Sequence, residues 1–286
     1  MRRICIYHAG CPDGFGAAWA VWRAWGDDAQ YVARGHDDPL DAQALTGDQV
    51  VFVDIAPPNE GLRALADTAA QVVILDHHVS SRDRVRSDMA LENALQAGGH
   101  RVHFDMERSG AVLAWEAFHP DVPVPELLRY VQDQDLWNWS LPRSREVNAA
   151  IGSYPHGFDV WTELAQRPWE ELAAEGDPIV RSNRREVKRS LQSAHPLRVG
   201  ELRLEGVNAR YQRSQIGHEL ARRAAFGKAA GCVYRLSGDR VDVSLYSIGD
   251  VDVSKLAGAF GGGGHRNAAG FSVSLSRWQN DFVLPS

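Results

Sequence analysis

The feature that most constrains this chain is a pattern that recurs in its first 78 residues. A short apolar run, rich in β-branched residues, stops abruptly at side chains able to do chemistry. Ile4-Cys5-Ile6-Tyr7 ends at His8, Val50-Val51-Phe52-Val53 at Asp54, and Val72-Val73-Ile74-Leu75 at Asp76-His77-His78. Such runs read as strands buried on both faces. Phe15 to Trp25 and Glu60 to Ala70 read as the helices between them, and Gln30 to Ala33 as a weaker strand. This alternation predicts a parallel sheet covered by helices. Right-handed crossovers then bring successive carboxyl strand ends to one edge. Ligands of open α/β sheets bind outside that edge.

The residues at those ends are His8, Asp13, Asp54, Asp76, His77 and His78. Each alone has a plain structural reading: His8 a satisfied histidine, Asp13 a helix cap, D-H-H a polar strand end. Their joint placement at one edge reads instead as a metal site. Oxygen and imidazole donors without thiolate pairs suit Mn²⁺, Mg²⁺ or Zn²⁺ rather than an iron–sulfur cluster. A last carboxylate is expected from Asp133-Gln134-Asp135-Leu136-Trp137, at the end of a helix read from Pro125 to Gln132. Asp135 is the first choice and Asp133 the second. Ser109, ahead of a helix over 111–118, reads as its cap or as a substrate contact.

Composition narrows the partners. The 286 residues carry a formal net charge of −6, whereas a protein that coats long nucleic acid is usually basic, so a nucleic-acid substrate is expected to be short or held locally. Cys5, Cys11 and Cys232 form no C-x-x-C pair, which argues against a disulfide framework and suits a reducing cytosol. No apolar run reaches the roughly 18 residues of a membrane span, and the start of the chain lacks a signal-like core.

From about Ser140 the pattern changes. Ile179 to Ala194 reads as a charged connector helix. Beyond it, Leu197 to Val207 alternates as a hairpin would, and Gly231 to Leu236 and Arg240 to Ser247 alternate as half-buried antiparallel strands do, with helices over 214–226 and 253–260. The division expected is a catalytic domain over 1–178, a connector over 179–195 and a smaller α/β domain over 196–286 with a mixed or antiparallel sheet. Gly261-Gly262-Gly263-Gly264-His265-Arg266 then reads as a loop whose amides approach an anion, with His265 and Arg266 adding positive charge.

In order, His8…Asp13-Gly14, Asp54, Asp76-His77-His78, Ser109-Gly110, Asp135-Leu136-Trp137 and Gly261 to Gly264, His265…Ala268-Ala269-Gly270-Phe271 resemble the DHH phosphoesterase superfamily, over most of the chain. The resemblance implies a DHH domain followed by a DHH-associated domain, and a two-Mn²⁺ centre in a cleft between them. It implies that His8 binds the first metal and Asp13 the second, with Asp54 bridging. His77 and Asp135 would complete the second site, and His78 would touch substrate phosphate. Asp76 would orient the histidines or reach the metal. Gly262, Gly263, Gly264, His265 and Arg266 would hold the far phosphate or nucleotide.

Two positions depart from the pattern. Members usually carry a second aspartate where this chain has Gly10-Cys11-Pro12, with one extra residue. Cys11 either replaces that ligand as a thiolate or leaves the first metal weakly held, so one ion or two stays open. Tyr246 stands where many members have arginine, and either stacks on a base or packs. The function implied is metal-dependent hydrolysis of short oligonucleotides or small nucleotides, like a nanoRNase or adenosine-bisphosphate phosphatase. Exopolyphosphatase is the alternative within the class, and a non-catalytic nucleotide sensor the alternative outside it. The expected partners are the substrate and, at most, a second copy of the chain, with no membrane.

Overall fold

The computed structural model describes residues 1–36 and 38–284. The chain divides into two compact units, Met1–Val180 and Arg181–Ser286. In the first unit the elements run β1 (Arg3–His8), α1 (Pro12–Trp25), β2 (Gln30–Arg34), β3 (Gln49–Val53), α2 (Asn59–Thr68) and β4 (Gln71–Asp76). They continue with α3 (Val79–Arg86), α4 (Met89–Ala97), β5 (Arg101–Phe104), α5 (Gly110–Phe118), α6 (Glu126–Asp135), α7 (Ser144–Ile151) and α8 (Phe158–Leu164). Helix α9 (Trp169–Ser190) follows. It begins ten residues before the connector helix expected from Ile179, and carries Pro178 inside it.

The sheet of the first unit is parallel throughout, in the order β2-β1-β3-β4-β5. Burial explains the apolar runs. Ile4, Ile6, Val50, Phe52, Val72 and Ile74 pack on one face against Leu62 and Leu65 of α2, Val85 of α3, and Leu91 and Leu95 of α4. Cys5, Val51, Val53 and Leu75 pack on the other, against α1, α5, α6, α7 and α8, around the fully buried Trp19 and Trp161. With both faces covered, the strands need no polar alternation. Phe52 is fully buried, so truncating it to alanine would cost about 3–5 kcal/mol. The edge strand β2 is mostly exposed, which is why its sequence signal is weak.

The strand order reverses beside β1, whose neighbours are β2 and β3. In a sheet of this order the crevice for a ligand opens between β1 and β3, at their carboxyl ends. Those ends are His8 and Asp54. Two close approaches fix the local geometry. A Cβ on Gly14 would lie 2.1 Å from the His8 carbonyl oxygen, so only glycine lets α1 start this close to the end of β1. A Cβ on Gly110 would lie 2.4 Å from Asp54 Cβ, so α5 likewise starts against Asp54.

The second unit contains β6 (His195–Val199), β7 (Leu202–Asn208), α10 (Arg213–Arg223), β8 (Ala230–Ser237), β9 (Arg240–Ser247) and α11 (Val253–Gly258). It ends with β10 (Gly263–His265), β11 (Ala268–Ser274) and α12 (Leu275–Asp281). Its sheet runs β10-β11-β9-β8-β7-β6 and is mixed: β7 and β8 are parallel, the other pairs antiparallel. The expected α/β class holds for both units.

Charge is unevenly divided. Residues 1–180 hold 28 Asp and Glu against 14 Lys and Arg, and residues 181–286 hold 9 against 17. The net −6 therefore conceals a strongly acidic unit and a basic one. Whole-chain charge is thus a poor guide to the length of polyanion the protein tolerates, because local fields decide that.

Candidate metal centre

At the carboxyl edge of the first sheet, β1 delivers His8. The following turn delivers Cys11 and Asp13, β3 delivers Asp54, β4 delivers Asp76, His77 and His78, and the end of α6 delivers Asp135. Asp54 has φ 59°, in the left-handed region that side chains other than glycine's rarely adopt. Strain of this kind persists where surrounding structure holds it, commonly at functional sites. Here the Asp54 amide donates to the Leu75 carbonyl at 2.9 Å, and the carboxylate is almost fully buried.

The centre of the cluster is the Nε2 atom of His77, itself 1% exposed. It lies 3.0 Å from Asp54 Oδ1, 3.5 Å from Asp135 Oδ2 and 3.6 Å from Asp13 Oδ2. On the other side of Asp54, Oδ2 lies 3.4 Å from His8 Nδ1 and 3.6 Å from Cys11 Sγ. Two donor groups have spacing that would suit a cation, Asp13–His77–Asp135 and His8–Cys11–Asp54. An adjoining group is Asp54–Asp76–His78.

The electrostatics show what the cluster lacks. Burial, then the charges of Asp54 and Asp135, raises Asp13 well above the usual carboxylate range. Burial opposes ionisation of Asp54 too, but its contacts with His77 and His8 outweigh that and hold it well below the usual range. Burial likewise opposes charge on His77, yet the bond to Asp54 and the charges of Asp135 and Asp13 raise it to about 10. The imidazolium thus pairs with the ionised Asp54, while burial pushes the neighbouring Asp13 and Asp135 toward their neutral forms. A divalent cation bound among the same oxygen and nitrogen donors would fill that role more fully. The donor set fits such an ion. The buried Asp76 Oδ2 also has no hydrogen-bond partner, a costly state for a carboxylate oxygen.

Asp13 has a second task. Its two oxygens accept from the amides of Gly110 (2.7 Å) and Ala111 (3.0 Å), the first residues of α5. A carboxylate at a helix N-terminus meets both free amides and the positive end of the dipole. Asp76 Oδ1 accepts from the His77 amide at 2.8 Å and the His78 amide at 3.3 Å, and pairs with His78 Nδ1 at 2.7 Å. Burial works against charge on His78, but Asp76 outweighs it and raises the ring above its ordinary value.

Other expected residues lie differently. Asp133 sits in α6 with Asp135, but its carboxylate accepts from the Ser140 amide (2.9 Å), the Ser140 hydroxyl (2.7 Å) and the Leu141 amide (3.3 Å). It pins the loop after α6 and does not join the cluster. In that loop Trp137 and Trp139 have φ 59° and 53°. Ser109 is fully buried and caps α5, so its substrate contact gives way to the cap reading; its hydroxyl accepts from the Val112 amide at 3.4 Å and also supports Asp13.

The glycine run is not an open loop. The Gly261 and Gly262 amides donate to the Gly258 and Ala257 carbonyls of α11, and Gly263 to His265 form β10, paired to β11. A Cβ on Gly262 would meet the Gly270 carbonyl oxygen at 2.0 Å, and Gly264 has φ 137°. Glycine is needed there for close strand packing, so the run expected as a loop ends in an edge strand. Arg266 is exposed. Tyr246 is 8% exposed, pairs with the Ser214 hydroxyl at 3.3 Å and lies where a Cβ on Gly217 would be. It packs.

One residue escaped sequence reasoning. The His36 ring lies 4.6 Å from that of His8 and 5.4 Å from that of His78, centroid to centroid. It follows the end of β2 by two residues, so the strand-end rule applied to the edge strand would have found it.

Fold and site together define a two-unit α/β protein with a carboxylate–imidazole cluster at the carboxyl edge of a parallel sheet. No family model matches the chain. Among curated proteins it is similar to the uncharacterized protein R106 of Acanthamoeba polyphaga mimivirus, 26% identical over 301 residues, covering 95% of this chain and 67% of the viral one. Among solved structures it is similar to the pGpG-specific phosphodiesterase PggH of Vibrio cholerae, at 12% identity and a TM-score of 0.47 over 98% of this chain and 95% of that one. An exopolyphosphatase-related protein of Bacteroides fragilis gives 14% identity and a TM-score of 0.43, over 94% and 86% of the two chains. RecJ of Thermus thermophilus, in complex with Mn²⁺, gives 14% and 0.47, over 97% of this chain and half of RecJ. Among the described residues no helix is long and apolar enough to cross a membrane.

Proposed function

We propose that this protein is a divalent-metal-dependent phosphoesterase of the DHH type, acting on short oligonucleotides or small nucleotides. The observation that carries the reading is the gathering of Asp13, Asp54 and Asp135 around His77 Nε2, with His8 on the far side of Asp54. His8, Asp13, Asp54, His77 and Asp135 would hold one or two Mn²⁺ ions, with Mg²⁺ or another divalent ion as the substitute. Bound there, the metal would lower the pKa of a water and stabilise charge on phosphoryl oxygens.

The chain's own residues do the rest. Asp76 holds His78 through Nδ1 and favours its protonated form. That leaves His78 able to bind a phosphoryl oxygen or pass a proton to the leaving oxygen. The burial of Asp13, Asp54, Asp76 and His77 keeps bulk water from screening these charges. His265 and Arg266, with Gly262 to Gly264 beside them, remain the proposed contacts for the far phosphate.

The test is hydrolysis by protein stripped of metal and resupplied with Mn²⁺, on a 5′-labelled RNA dinucleotide, adenosine bisphosphate and polyphosphate in parallel. Mononucleotide release supports the reading, and His77→Ala or Asp54→Ala should abolish it. Orthophosphate from polyphosphate alone would make the protein an exopolyphosphatase. Nucleotide binding without turnover on any of the three would make it a sensor.

A further inference from the structure

Cys11 stands inside the cluster, not beside it. Its sulfur lies 3.3 Å from His8 Nδ1 and 3.6 Å from Asp54 Oδ2, and the three donor atoms together have the spacing of a cation site. The turn fixes it there. Cys11 caps α1, and the Gly14 amide donates to its sulfur at 3.2 Å. The residue that donates to the sulfur is also the glycine that lets α1 start against the His8 carbonyl. A separate observation points to a cation beside the same Asp54: the fully buried Asp76, in the adjoining donor group with Asp54 and His78, has an oxygen with no partner.

We propose that Cys11 is a metal ligand, and that it makes the His8–Cys11–Asp54 site select a thiophilic ion such as Zn²⁺, Co²⁺ or Fe²⁺ over Mn²⁺ or Mg²⁺. This rests on the metal-dependent reading above and deepens it by naming the ion class. Two oxygen or nitrogen donors and one soft thiolate give a mixed set. Thiolate binds zinc and iron strongly and the hard ions poorly, while the Asp13–His77–Asp135 group keeps only hard and borderline donors. The two groups are therefore chemically unlike, and the chain has two metal preferences side by side.

The experiment uses full-length, metal-free protein titrated with Co²⁺ and followed in the near ultraviolet, where a sulfur-to-cobalt charge-transfer band reports thiolate ligation directly. Cys11→Ser and Cys11→Asp are compared, with zinc and manganese competing for the site. Serine and aspartate both cap helices well, so α1 keeps its start. The wild type should show the band and bind Zn²⁺ at least tenfold more tightly than Mn²⁺ at this site. Cys11→Ser should lose the band, and Cys11→Asp should lose it and shift the preference toward Mn²⁺. Stoichiometric cobalt binding to the wild type without the band would overturn the role of Cys11 while leaving the metal reading intact. A preference unchanged in both variants would do the same. Failure of any divalent ion to bind the wild type would overturn both.

Discussion

Gly110→Ala tests how tightly the cluster depends on the start of α5. The added methyl would lie 2.4 Å from Asp54 Cβ and 2.8 Å from both its Cγ and Oδ1. Asp54 has little room to retreat. It is buried, already holds a left-handed backbone, and is tied through its amide to Leu75. Overpacking of this kind costs about 1–3 kcal/mol. Alanine's better helix propensity returns less than about 1 kcal/mol. The net expectation is a loss of about 1–2 kcal/mol, a melting temperature lower by roughly 2–8 °C. Metal affinity should fall as well, because the strained contact is with a proposed metal ligand. Gly258→Ala is the control: nothing lies within 4 Å of its added Cβ, and its φ is not positive. It should be neutral or stabilising by up to about 1 kcal/mol. The assay is thermal unfolding of the three metal-free proteins, with calorimetric metal titration of each. If Gly110→Ala melts with the wild type and binds metal equally well, the packing of α5 on Asp54 does not hold the site.

Three further outcomes are expected. Asp76→Asn should lower turnover in the Mn²⁺ hydrolysis assay by about 10–100-fold, because the carboxylate orients and charges His78 and offers its unpartnered oxygen to the cation. His77, raised in the folded protein to about 10 from an ordinary value near 6.5, stabilises metal-free protein fully below about pH 6.5. That stabilisation is lost as pH climbs toward 10, so the melting temperature of metal-free protein should fall over this window, and His77→Gln should flatten the fall. Tyr246→Phe should cost about 0.5–1.5 kcal/mol in denaturant unfolding and leave KM within about twofold, since the ring packs and does not stack on substrate.

The central strands could be read from sequence because burial on both faces erases polar alternation and leaves valine-rich runs. Their ends could be read because polar residues follow the runs at once. The rest was hidden for specific reasons. α3 is rich in arginine and serine and buries only Ser81 and Val85, so it carries almost no helical apolar stripe. Asp133 and Asp135 differ by two residues on one helix and so face different ways. Sequence order favoured Asp135 without showing that Asp133 serves the loop. The glycine run looked like a cradle because glycine permits close backbone approach for either purpose, to a ligand or to another strand. The pairing with β11 shows that strand packing is one of them. His36 was missed because β2 is an exposed edge whose end is poorly marked.

The contact between Asp13 and the first amides of α5 has a consequence for the order in which the molecule is made. Asp13 leaves the ribosome 97 residues ahead of Gly110, so its carboxylate has no helix end to meet until Gly110 and Ala111 have followed. Asp135 emerges later still. A nascent chain that has completed β4 already displays His8, Cys11, Asp54 and His77, but it still lacks both the partner that seats Asp13 and the last carboxylate. The cluster therefore closes only once Asp135 has emerged, and an ion captured before then would meet a donor set weighted toward His8, Cys11 and Asp54.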